Sequence, residues 1–135
     1  MNAPSDDRPS LESVILAAGS TTEQLPPLGP DARTVVFRRI TFPPGGTTGW
    51  HYHPGPMLVI CKTGTLVRTF ADSSTDIITA GNCVLEPAGS ENAHCGENRG
   101  EEQVVLYVVY FLADNQLLSV KVDPPSHAGP RATTS

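Results

Sequence analysis

Gly45 to Gly64 reads GGTTGWHYHPGPMLVICKTG, and this stretch decides the fold. His51 and His53 stand two residues apart among Thr, Trp and Tyr, residue types that favour extended chain. Side chains two apart on a strand point to the same face, so both imidazoles reach one point without any bend in the backbone. Pro54-Gly55-Pro56 then turns the chain, and the run from Met57 to Lys62 reads as a second strand. By the same alternation Met57, Val59 and Cys61 share a face.

Outward from this stretch the pattern repeats. Pro43-Pro44-Gly45-Gly46 reads as a turn, and Thr34 to Phe42 before it as a strand. The Thr48 to His53 and Met57 to Lys62 runs are followed by Thr65 to Ala71, Thr75 to Thr79, Cys83 to Glu86, Ala93 to Glu97, Glu102 to Leu112 and Leu117 to Val122. Short strand-like runs broken by frequent Gly, Pro and Asn suit an all-β sandwich or closed barrel. The longest apolar run, VVLYVVYFL from Val104 to Leu112, is rich in Val and aromatic residues and is expected to be a central strand covered on both faces. Leu11, Val14, Ile15 and Ala18 keep helical spacing behind Ser10, while Val14 to Leu16 fits an edge strand equally well.

His94 lies 41 residues beyond His53, in EPAGSENAHCGEN behind a further Pro/Gly turn. Three imidazoles from two separate segments hold a divalent transition ion and leave coordination positions open, as a catalytic rather than a structural site requires. The bland alternative makes them polar residues lining a metal-free barrel. His127, in a polar stretch rich in Pro, Ser and Thr, takes the bland reading.

These residues carry a resemblance to the cupins. The first cupin motif, G-x5-H-x-H-x3,4-E-x6-G, is met by Gly45, His51, His53 and Gly64, with Met57 in the place of the acid. The second, G-x5-P-x-G-x2-H-x3-N, is met by Gly81, Pro87, Gly89, His94 and Asn98, with four residues rather than two between Gly89 and His94. The resemblance spans about Thr34 to Asp123. It implies a single-domain, all-β cupin jelly roll (double-stranded β-helix) over residues 12–123, between polar tails at 1–11 and 124–135 that are expected to be disordered, and a homodimer. It also implies His51, His53 and His94 as metal ligands in a metal-dependent enzyme. Foremost is an Fe(II) dioxygenase acting on a small organic acid, enol or thiol. The alternatives are a Zn, Ni or Mn cupin acting as a Lewis acid in isomerase, cyclase or lyase chemistry, and a non-catalytic cupin that binds a small ligand.

Further residues are candidates to line the pocket. The thioether of Met57 is a soft, neutral donor that binds hard or borderline ions weakly, so it is expected to fill space and leave a neutral three-histidine ligand set. Cys61 faces the same way as Met57, with a small buried hydrophobe as its plain role. Glu86 precedes Pro87 and offers a carboxylate from elsewhere in the barrel, although a solvated turn residue is the ordinary reading. Arg38 and Arg39 are adjacent, so one of them at most faces inward, where a guanidinium would grip a substrate carboxylate in bidentate fashion. Tyr107 and Tyr110 have opposite parity, so one hydroxyl at most reaches the cavity.

Composition narrows the partners. The net charge of −5 over 135 residues disfavours nucleic acid and anionic membranes, leaving a small molecule as the expected partner. The first 20 residues lack a basic region followed by an apolar one long enough for export, no stretch is long and apolar enough to span a bilayer, and the three cysteines have no CxxC spacing. The cytoplasm is the expected compartment.

Overall fold

The structure, a computed structural model, describes residues 8–23 and 31–126. Most of the two expected tails, residues 24–30 and His127 lie outside these residues. The described chain forms β1 (Glu12–Ser20), β2 (Thr34–Phe42), β3 (Thr47–Tyr52), β4 (Met57–Thr63), β5 (Thr65–Phe70), β6 (Thr75–Thr79), β7 (Cys83–Glu86), β8 (His94–Glu97), β9 (Val104–Leu112) and β10 (Val120–Lys121). A 3-10 turn, Ser90–Asn92, precedes β8. No helix among the described residues is long and apolar enough to cross a membrane.

The strands form two antiparallel sheets, ordered β1-β2-β9-β4-β7 and β10-β3-β8-β5-β6. This is the two-sheet jelly-roll arrangement expected from the sequence. The ambiguous segment after Ser10 is an edge strand, β1, exposed along its whole length and paired only with β2. Leu11, just before it, packs against the core.

The core lies between the sheets because alternate residues of each strand turn inward. On β9, which pairs with both β2 and β4, Val104, Leu106, Val108, Tyr110 and Leu112 are buried while the residues between them are half-buried. The strand is central, as expected, but one face carries the burial and the other is only partly covered. Phe42, Met57, Val59 and Cys61 join the same cluster, each large apolar side chain contributing about 1.5–3 kcal/mol on full burial.

Two motif positions are explained by the backbone. Gly64 turns β4 into β5 at φ +79°, and a Cβ there would lie 2.6 Å from the Gln103 carbonyl oxygen, so both the dihedral and the space require glycine. Asn98 is a rivet. Its buried amide donates to the carbonyls of Phe42 (3.0 Å) and Glu102 (2.7 Å), and its backbone exchanges hydrogen bonds with Gly45 and Gly46, both of 2.9 Å. The asparagine closing the second motif is thereby tied to the glycine turn opening the first.

Candidate metal centre

His51 sits on β3 directly opposite His94 on β8, and His53 follows just after β3 ends. A bulge in the β3–β8 ladder lies between Thr47 and Trp50, where Gly49 takes φ +70°. The Gly49 carbonyl accepts a hydrogen bond from Nδ1 of His51 at 3.0 Å. Nδ1 of His53 donates to the Leu118 carbonyl at 2.9 Å, and Nδ1 of His94 to the Asn92 carbonyl at 2.9 Å. Carbonyls only accept, so every ring carries its proton on Nδ1 and turns Nε2 toward the others.

The rings converge. Their centroids are 4.5 Å (His51–His94), 4.8 Å (His51–His53) and 5.3 Å (His53–His94) apart. The ligand atoms all lie within 4.8 Å of one another, and the three residues are 9%, 5% and 4% exposed. A metal-binding imidazole characteristically anchors its second nitrogen to a carbonyl or carboxylate, which sets its tautomer and orientation. All three rings meet that condition, so the donor set fits a divalent metal.

Glu86 is the residue whose setting departs most from its expected one. It is not a solvated turn residue but a buried carboxylate, 5% exposed, at the inner end of β7. Oε1 lies 3.2 Å from Nε2 of both His53 and His94, and Oε2 accepts from Nη1 of Arg68 at 3.0 Å. Burial opposes its ionisation, yet the hydrogen bonds and charge that His53 and His94 supply when Nε2 is protonated as well as Nδ1 hold it well below the usual carboxylate range. For His94, burial disfavours the cation, but Glu86 and the Asn92 carbonyl outweigh that and raise its pKa. His51 goes the other way, to about 4, because of burial first and the neighbouring His94 second.

Arg68, on β5, was not singled out from the sequence. It is buried and forks onto its cross-strand partner Asp76, with Nε at 2.9 Å and Nη2 at 2.6 Å, while Nη1 holds Glu86. The available signal was parity, since Arg68 shares a strand face with the apolar Leu66.

The remaining candidates divide. Arg38 and Met57 line a cavity of about 260 Å³ together with the three histidines, Glu86 and Tyr110. Arg39 is exposed. Tyr107 does not line the cavity; it stacks on Phe37, 6.0 Å between ring centroids, on the face of the sheet away from the buried residues of β9. Tyr110 has the inward parity, and its hydroxyl accepts from Nη1 of Arg38 at 3.0 Å. Cys61 is fully buried but lies in the core beyond the cavity wall, with Sγ near the carbonyls of Thr63 and Gly64.

Comparison with known proteins agrees with this architecture. The model of the cupin domain family matches residues 38–110, more than half of the chain. No curated protein matches. Among solved structures, a cupin domain from Bordetella pertussis Tohama I is 24% identical, with a TM-score of 0.60 over 81% of this chain and all of that one. A cupin 2 conserved barrel domain protein from Salinispora arenicola CNS-205 is 23% identical, with a TM-score of 0.57 over 76% of each chain. A recombinant oxalate oxidase in complex with glycolate is 23% identical, with a TM-score of 0.55 over 64% of this chain; the match spans only 45% of the oxidase. At these identities the likeness is one of fold. With the family model covering both histidine segments and the two sheets enclosing a cluster able to hold a metal, the chain belongs to the cupin family.

Proposed function

We propose that this cupin is a metal-dependent enzyme, an Fe(II) dioxygenase acting on a small organic acid, with His51, His53 and His94 as the ligands that hold the ion. The observation that carries this reading is the convergence of three buried imidazoles, each anchored through Nδ1 to a backbone carbonyl. Bound there, Fe(II) would supply the open positions and the electrons for O2 chemistry. The protein's own residues do the rest. Ile40, Phe42, Leu66, Leu106 and Val108 give the cavity a dry wall, which excludes water and strengthens every charge interaction inside.

Arg38 addresses the acid end of the substrate. It has no carboxylate partner among the described residues and donates its side-chain hydrogen bonds to two neutral hydroxyls, those of Tyr110 and Ser13. A guanidinium so held is free to take a carboxylate in a fork, with the Tyr110 hydroxyl beside it. The cavity volume suits a small molecule. At the level of fold, the oxalate oxidase relative holds glycolate, a small hydroxy acid.

The deciding experiment is metal analysis of protein purified without oxygen, followed by O2 uptake against a panel of small carboxylic acids. Iron with acid-dependent O2 consumption supports the dioxygenase. Bound Zn, Ni or Mn without O2 uptake favours Lewis-acid chemistry, and absence of stoichiometric metal favours a small-ligand-binding cupin.

The proposal includes a cytoplasmic homodimer. Cys61, Cys83 and Cys95 are all free thiols, which suits a reducing compartment. Phe37, Val109, Leu58 and Leu85 pair successively across β2, β9, β4 and β7, with Phe37 and Leu85 exposed, an apolar strip that a second copy would cover. Light scattering of Leu85→Glu checks it: a monomer is expected where the native chain is dimeric, and an unchanged mass contradicts this face.

A further inference from the structure

We propose that Glu86 is itself a ligand of the metal, the carboxylate missing at position 57 having been relocated one strand across to its ladder partner. The inference rests on the metal-site reading above and changes its chemistry, from three neutral imidazoles to three imidazoles and one carboxylate.

Met57 on β4 and Glu86 on β7 are directly paired. Cross-strand partners point to the same face of a sheet, with Cβ atoms about 5 Å apart. An acid at either position therefore enters the same cavity from the same wall. Met57 is 3% exposed and offers only a thioether, whereas Glu86 directs one oxygen at the histidines.

The distances fit a ligand as well as a hydrogen-bonding neighbour. For bonds of about 2.1 Å at right angles, neighbouring ligand atoms lie about 3 Å apart. Oε1 of Glu86 stands 3.2 Å from Nε2 of His53 and 3.2 Å from Nε2 of His94, the edge lengths of such a polyhedron. Once those nitrogens give their lone pairs to an ion, neither has a proton left for Glu86. Oε1, buried between them, then has the ion as its electrophile. Oε2 is already engaged by Nη1 of Arg68 at 3.0 Å, which leaves a single oxygen to offer and makes the carboxylate monodentate. Arg68 is in turn fixed by Asp76 in a two-point fork, so the carboxylate is aimed before any ion arrives.

The ion class follows. A carboxylate oxygen added to three imidazoles favours Fe(II) or Mn(II), lowers the net charge of the site from +2 to +1, and still leaves positions for a chelating substrate.

The test uses the full chain stripped of metal and titrated with Mn(II) by calorimetry and with Co(II) by visible absorption. Since removing a residue that merely orients a ligand costs about 10–100-fold in affinity, Glu86→Gln is expected to weaken Mn(II) binding by more than about 100-fold and to alter the Co(II) spectrum. The exchanged double variant Met57→Glu/Glu86→Met, which returns the acid to the same wall, is expected to recover most of that affinity. Circular dichroism shows whether each variant is folded. Native-like Mn(II) affinity in Glu86→Gln, or weakened binding with an unchanged Co(II) spectrum, overturns the proposal while the three-histidine site stands. A native chain that takes up neither ion overturns the metal reading itself.

Discussion

His51 and His94 are direct partners across the β3–β8 ladder, and their ring centroids lie 4.5 Å apart. Two of the three histidines are therefore placed by the register of a sheet rather than by a loop. Backbone hydrogen bonds hold that geometry whether or not an ion is present, which makes the site pre-organised.

A preformed site separates metal binding from folding. His53→Ala is expected to abolish stoichiometric metal binding while the domain stays folded, because the apolar inter-sheet core does not include His53. The one backbone cost is the Leu118 carbonyl that loses its donor, about 1–3 kcal/mol if it stays dry. Calorimetric titration beside a thermal melt checks both halves; retained affinity in this variant contradicts the assignment.

Protonation of the metal-free site should be uneven. The folded-state pKa of His51 is lowered from 6.5 to about 4, so between these values the unfolded chain binds a proton that the folded protein refuses. This group's contribution is thus unimpaired above pH 6.5 and costs stability as pH falls toward 4, up to about 3 kcal/mol. His94, raised above 6.5, acts oppositely, adding stability that is full below 6.5 and lost as pH rises through its folded value. Imidazole NMR resonances should show His94 protonating at higher pH than His51; His51 titrating near 6.5 would refute the order.

Arg68→Leu breaks a buried pair on one side only. Glu86 keeps its histidine contacts but loses its guanidinium, and Asp76 loses its fork. Removing one member of a buried ion pair costs about 3–5 kcal/mol, and the denaturation midpoint is expected to fall accordingly. A loss below about 1 kcal/mol would mean that the pair contributes little beyond what solvent supplies.

Arg38→Met is expected to raise KM for a carboxylate substrate, or weaken binding of a carboxylate analogue, by at least about tenfold, the loss of a charge-assisted contact. Metal content should not change, since Arg38 contacts Tyr110 and Ser13 rather than the histidines. Unaltered carboxylate binding would remove Arg38 from the substrate end.

Much was legible in local sequence. The two-residue spacing of His51 and His53 and the Pro/Gly turns behind both histidine segments follow from strand periodicity and turn chemistry, which operate over a few residues. The inward set Met57, Val59 and Cys61 is buried as one face. The extended nature of β9 followed from its valines and aromatics in the same way.

Other features depended on register and on which face turned inward. Parity says that Tyr107 and Tyr110 oppose each other, but only the packing of the sheets selects Tyr110 for the cavity. Glu86 beside Pro87 has the local composition of a solvated turn. It becomes a buried carboxylate because β7 pairs with β4 and because Arg68, from the other sheet, reaches across to it. The chain by itself determined the strands, their turns and the histidine pair, because those rest on short-range periodicity. Only the tertiary structure decided which charge stands beside the imidazoles, because such pairing is set by contacts between strands distant in sequence, adjusted by bulges at Gly49 and after Cys61.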